Sequence, residues 1–446
     1  MHVALAPPLR LVSLLCLLLA AGCTGQSREQ IARLKTLEMR VSAKEATPAP
    51  ADAPLTLSDL VHRAQQRSPE VLRTELRGLL DEAELDQQIT AGLPRVGVEA
   101  DYGRSAVLRR DEPEGLLRVS PGLQWDVVRM LQMARMKRLR GRSVEAAALQ
   151  QHLAREQVEL EVVRRYAEVE AARAAAALAE ARAGAAARAA RLSQLQGPSD
   201  SAGPDAEANA AVLGRQLRQA QGRAQVAFAR LASLCALQPG EDAARYEEPA
   251  GVADPLPLRE YLEVVLASSE GLKIADIRTA LSAERARLAG AERWSMARLS
   301  SNAGDILQLL SSSPFALLSW TYNLIDQGDF NRSLIKARAD TVLSRLDRQD
   351  EAERLLDTGG RVWVALLDAA VERRKAEIAL RQARLAERIA AAQVADAVAP
   401  PTVQQGAELT TAAAETDLRL RGLEHLVVAT QYRLLGADRP AEKQVQ

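Results

Sequence analysis

The sequence predicts a mainly α chain with a small β part, one structural unit used twice. Three observations predict it. Ala, Leu, Arg, Glu and Gln dominate and only 3% of residues are aromatic, the make-up of long helices. Two stretches alternate with period two and run straight into helical patterns of roughly sixty residues. In residues 117–128, Leu117, Val119, Leu123, Trp125 and Val127 share one face and Arg118, Ser120, Gln124 and Asp126 the other. In residues 315–330, Ala316, Leu318, Trp320, Tyr322 and Leu324 oppose Ser319, Thr321 and Asn323. Finally, LTLSDLV from Leu55 answers LPLREYL from Leu256, and Ser68 answers Ser269, at an offset of about 201 residues. Trp125 answers Trp320 at a similar offset. A formal net charge of zero gives no support for nucleic-acid binding.

The N-terminus is an address. Arg10 precedes an apolar run over 11–21, too short to span a bilayer, and residues 1–22 read as a signal peptide. Leu19-Ala20-Ala21-Gly22-Cys23 resembles a bacterial lipobox, with Ala20 where Leu is commoner; Cys23 would then be lipidated and become the first mature residue. An ordinary secretory signal cut nearby is the alternative. Thr24 stands where a retention Asp would, so the resemblance implies transport onward to the outer membrane. Of three cysteines, Cys16 leaves with the signal and Cys23 carries lipid. Cys235 remains, so no disulfide forms within one mature chain. Its apolar setting (LASLCAL) predicts a buried, inert thiol.

After Cys23, residues 26–45 can form a short helix with Ile31, Leu34 and Val41 at roughly heptad spacing. ATPAPADAP over 46–54 is an extended linker. The first unit covers 55–250. A helix from Leu55, with Ser58 as N-cap and Leu57, Leu60, Val61 and Ala64 on one face, ends at Gly92 and Pro94. Residues 95–102 alternate Val96, Val98, Ala100 and Tyr102 against Arg95, Glu99 and Asp101. With the polar loop 109–115 this predicts a hairpin over 95–128. Strands of this length suit a membrane-spanning hairpin; a soluble sheet edge is the alternative. A long helix follows over 130–196. GPSDSAGP breaks it, and a helix over 205–237 closes the unit. The second unit, 251–437, repeats the plan: helix, hairpin 297–325, long helix 331–398, a break at Ala399-Pro400-Pro401, and a helix over 402–435, with a tail at 438–446. Its first strand is weak, interrupted by Asp305. Gly359-Gly360 falls inside the second long helix, implying a packing notch or a bend. Each long helix would extend about 100 Å, and it needs partner helices along its whole length.

In this order, twice over, the pieces resemble the TolC-like outer-membrane efflux protein family across 55–436. LTLSDLVHRAQQRSPEV, with Pro69, resembles the opening of its repeat. LQWDVV and LSWTYNLIDQG resemble its strand ending in an Asp-Gly-Gly turn, although the first unit has Val127-Val128-Arg129-Met130 there. EVVRRYAEVEAAR, with Tyr166, resembles its long helix, and LASLCALQPG and YRLLGA its repeat ends. The resemblance implies a homotrimer: a trimeric α-barrel tunnel in the periplasm plus a shared twelve-stranded transmembrane β-barrel, four strands per chain. It implies a passive exit duct of a tripartite export system, with outer-membrane lipid, a periplasmic adaptor protein and an inner-membrane pump as partners. A periplasmic coiled-coil lipoprotein with a structural or adaptor role is the second reading.

There is no catalytic constellation and no cofactor motif. His62, His152 and His425 stand isolated on predicted helices. Met130, Met133 and Met136 share a helix face, which suits either Cu(I) or gap-filling packing. In the resembled family the helix-to-helix breaks form the periplasmic mouth and dock the adaptor. Asp200, Asp205 and Asp396 fall at these breaks and are the candidate gate and docking residues; helix capping or plain solvation is the alternative. Asp396, near a helix C-terminus, sits where an acid is electrostatically unfavourable. Tyr102, Trp125, Trp320 and Tyr322 are the candidate membrane-facing strand residues.

Overall fold

The computed structural model describes residues 28–42, 55–91, 93, 95–103, 116–195, 202–237, 255–292, 297–302, 317–320 and 329–437. Helix α1 covers 28–42. Then come α2 (Leu57–Arg67), α3 (Pro69–Thr90), β1 (Arg95–Gly103), β2 (Leu116–Asp126), α4 (Val127–Leu195) and α5 (Ala202–Cys235). The same order follows again: α6 (Leu258–Ser268), α7 (Glu270–Glu292), β3 (Ala297–Asn302), β4 (Leu317–Trp320), α8 (Asp329–Ala395) and α9 (Pro401–Tyr432), closed by a π turn at Arg433–Ala437.

The helix expected from Leu55 is two helices, not one. Ser68 lies in extended geometry, φ −59° and ψ 124°, because the ring of Pro69 disfavours the helical region for its predecessor. Ser269 takes nearly the same angles, −56° and 121°, although Glu270 follows it. The expected N-cap is also corrected. Thr56, not Ser58, caps α2. The Asp59 amide donates to Thr56 Oγ1 at 3.2 Å and the Thr56 amide donates to Asp59 Oδ2 at 3.0 Å, a reciprocal capping box. In α1 the apolar residues singled out from spacing, Ile31, Leu34 and Val41, are exposed, and Leu37 is the buried one.

Two compact units result, and each draws on both halves of the sequence. One comprises Met1–Arg40, Arg73–Gln151 and Gly271–Glu351; the other comprises Val41–Leu72, His152–Glu270 and Ala352–Gln446. In the first, α1 lies along α3 through polar contacts. Gln30 donates to Asp86 at 2.6 Å and Arg40 pairs with Glu75 at 3.4 Å. Arg140 of α4 bridges Glu82 and Asp86 at 2.6 and 2.7 Å. This unit also holds the sheet.

The second unit contains two apolar cores. Leu60, Ala64, Val158, Val162, Tyr166, Leu231 and Cys235 centre one, joining α2, α4 and α5. Tyr261, Val265, Val362, Leu366 and Tyr432 centre the other, joining α6, α8 and α9. Leu60 and Tyr261, Ala64 and Val265, and Leu231 and Tyr432 occupy equivalent places, about 201 residues apart. Tyr261 and Tyr432 stack with centroids 4.2 Å apart. The Tyr432 hydroxyl accepts from the Leu256 amide at 3.1 Å, while Trp363 Nε1 donates to the Leu256 carbonyl at 2.8 Å. Helix α8 runs unbroken through Gly359-Gly360, and Gly359 alone marks a notch. A Cβ on Gly359 would lie 3.0 Å from Leu262 Cδ2.

Candidate functional site

Two regions carry the residues singled out above: the sheet and the turns between long and shorter helices. The sheet is antiparallel, in the order β1-β2-β3-β4. Its register sorts residues by polarity. Val96, Val98, Ala100 and Tyr102 of β1 pair with Leu123, Pro121, Val119 and Leu117 of β2, whereas Arg95, Glu99 and Asp101 pair with Gln124, Ser120 and Arg118. The apolar row continues, Trp125 with Leu299 and Leu299 with Leu318; the polar row continues from Asp126 to Arg298 to Ser319. Trp320 pairs with Ala297, two residues from Leu299. A period of two therefore places Tyr102, Trp125 and Trp320 on one face. Tyr322 lies outside the described residues, as do Cys23 and Asp200.

The antiparallel pairing of β2 with β3 is not local. It joins a strand of the first repeat to one of the second, and among the described residues β1 and β4 are the edges. Helix α4 starts at Val127, directly after β2, so the strand passes into the helix without a loop. This is the place where the resembled family has an Asp-Gly-Gly turn. β3 is described over Ala297–Asn302, and Asp305 lies outside the described residues.

At the other end of α8 the turn has defined geometry. Ala397 is left-handed, φ 56°. The Val398 amide donates to the Gln393 carbonyl at 2.9 Å and the Ala397 amide to Val394 at 3.1 Å, the Schellman pattern. Asp396 is the C-cap, exposed, with Pro401 opening α9. The end of α5 matches it: Ala236 has φ 50°, and the Leu237 amide reaches Ala232 at 2.9 Å. Asp205 is exposed in the first turn of α5. The helix begins at Ala202, so Asp205 is not its N-cap, although a negative charge there favours the helix dipole.

The remaining candidates resolve individually. Cys235 is buried, and burial pushes its thiol up to about 12, which suppresses thiolate chemistry. Met136 lines a cleft of about 230 Å³ with Leu85, Leu139 and Leu288; Met130 and Met133 are partly buried. His62 is exposed beside Gln66 and His425 is buried. His152 is not isolated: it pairs with Glu156 and Glu270. Sequence reasoning also missed Glu170, a fully buried acid on α4 held by Arg173 at 2.9 Å and by Arg419 of α9. Its signal was an acid flanked by apolar residues on the helix's buried face. No described helix is long and apolar enough to cross a membrane.

Solved structures match this arrangement over most of its length. The chain has the fold of the TolC-like outer-membrane channels. The outer membrane protein VceC from Vibrio cholerae aligns over 85% of this chain and 96% of its own, with TM-score 0.63 and 19% identity. The Campylobacter jejuni CmeC outer membrane channel aligns over 85% of each chain, with TM-score 0.68 and 12% identity. The Neisseria gonorrhoeae MtrE outer membrane channel, in its open state, covers 85% and 88%, with TM-score 0.64 and 17% identity. Neither a protein-family model nor a curated protein sequence matches the chain.

Proposed function

We propose that the chain is one subunit of a homotrimeric outer-membrane exit duct, the passive channel of a tripartite efflux or export system. The observation that carries this reading is the open four-stranded sheet, sorted by register into an apolar and a polar face. Four strands cannot close a barrel, and lipid does not tolerate unpaired edge amides and carbonyls. Three copies placed around an axis pair β1 of one with β4 of the next and yield twelve strands without an edge. The face holding Tyr102, Trp125 and Trp320 then meets lipid, with aromatics suited to the interfacial belt. A coiled-coil lipoprotein has no use for such a sheet.

A second observation supports the trimer. On α8, Val364, Val371, Ile378 and Leu385 recur at heptad spacing and are each 48% to 60% exposed. Such a stripe is the seam of a helix packed on another helix. In this reading Cys23 carries the lipid anchor and α4, α5, α8 and α9 line a periplasmic tunnel. The turns at Asp200, Asp205 and Asp396 form its mouth and dock the adaptor, while an inner-membrane pump supplies the energy. Three copies of Asp396 near the axis favour cations.

The test is planar-bilayer conductance of the detergent-purified protein together with its mass. The expected result is a trimer with steady current, whose cation preference falls in Asp396→Ala. A monomer without conductance in any preparation overturns the duct. A conducting trimer with unchanged ion preference removes only the gate.

A further inference from the structure

Within the second compact unit, three donor atoms converge from two elements. His152 Nδ1 lies 2.9 Å from Glu270 Oε2 and 3.3 Å from Glu156 Oε1. All three atoms fall within 4.8 Å of one another. His152 and Glu156 are one turn apart on α4, and Glu270 is the first residue of α7. Four ligands placed tetrahedrally at about 2.0–2.1 Å from a zinc ion sit roughly 3.3 Å apart, and the observed 2.9 and 3.3 Å lie at or just under that value. Imidazole and carboxylate are the donors that zinc-type divalent ions accept.

The position of Glu270 is a second pointer. It occupies the repeat position held by Pro69 in the first half, where a helix needs only a residue compatible with its first turn. A carboxylate there is 9% exposed, so its charge is met by the groups packed on it, the His152 ring among them, rather than by water. His152, at 53% exposure, leaves the cluster open to solvent on one side, the place for a water as fourth ligand. The first repeat has Pro69 at this position, and among the described residues the donor set occurs once.

We propose that His152, Glu156 and Glu270 bind one divalent transition-metal ion of the zinc type per chain. The site clamps the start of α7 onto α4. It is independent of transport and stands or falls apart from the exit-duct reading.

The experiment uses full-length, detergent-purified protein stripped with a chelator. Zinc binding is measured by equilibrium dialysis, and cobalt substitution reports geometry through its visible absorption. Wild type is expected to take up one zinc per chain and to give a tetrahedral cobalt spectrum. His152→Ala and Glu270→Gln are each expected to weaken binding by at least about tenfold, the loss that even outer-shell substitutions can cause. His152→Ala changes a half-exposed side chain, and thermal melting verifies that it folds. Absence of stoichiometric zinc in wild type, equal binding in all three proteins, or a melting temperature lowered in His152→Ala but indifferent to zinc in wild type would each overturn the proposal in favour of a bare ion pair.

Discussion

At the residue scale, stability rests on a few polar contacts that burial makes costly to break. Glu170 has no exposure to water, and two guanidiniums balance it. Arg419→Ala removes the partner on α9 and leaves a buried carboxylate half compensated. That loss is expected to cost about 3 kcal/mol, measured by denaturant unfolding; a change under about 1 kcal/mol would mean that the pair behaves as a surface bridge. The α2 capping box gives a pH-dependent case. The Thr56 hydroxyl, and next the Thr56 amide, hold the Asp59 carboxyl below its ordinary range. A carboxyl lowered on folding stabilises the fold above its unfolded pKa, and that contribution disappears as pH falls through the folded pKa. Thr56→Ala should cost about 1 kcal/mol at neutral pH and progressively less in acid. An equal loss at every pH would detach the effect from Asp59.

At the element scale, the unbroken α8 is instructive. Two adjacent glycines weaken a helix, yet α8 continues through both. Gly359 is buried against Leu262, Tyr261 and Val265, whereas nothing lies within 4 Å of a Cβ on Gly360. The two sites should therefore respond with opposite sign. Gly359→Val overpacks the α6–α8 contact and should destabilise by about 1–3 kcal/mol. Gly360→Ala should stabilise by about 1 kcal/mol. Thermal melts of the two variants check both signs; a shift in the same direction would show that propensity, not packing, governs the pair. The turns that end α5 and α8 follow a related economy. Both use Ala in the left-handed region where Gly is commoner, and the Schellman hydrogen bonds compensate.

At the scale of the whole molecule, two features of one chain remain incomplete: the edges of the sheet and the apolar stripe on α8. Our reading completes both with two further copies. Val371→Asp together with Ile378→Asp places charge in the middle of the stripe. Light scattering should then report a monomer in place of a trimer, with helix content retained by circular dichroism. A trimer that survives both changes would exclude the stripe as the seam.

Periodicity alone sufficed for much of this protein. Alternation from Arg95 to Tyr102 matches β1 residue for residue apart from its last position, and the helical patterns end close to the bounds of α4, α5, α8 and α9. The physical reason is that side-chain period is a local property, set by backbone geometry and readable within a dozen residues. Local reading failed where a neighbour decides. Leu37 is buried where Ile31 and Val41 are not, because α3 lies along the Gln30–Arg33–Leu37–Arg40 side of α1. Only the tertiary structure brought Glu270 to His152 and Arg419 to Glu170, across more than a hundred residues. It also joined β2 to β3 in one sheet, because strand pairing and charge compensation depend on which distant segments meet.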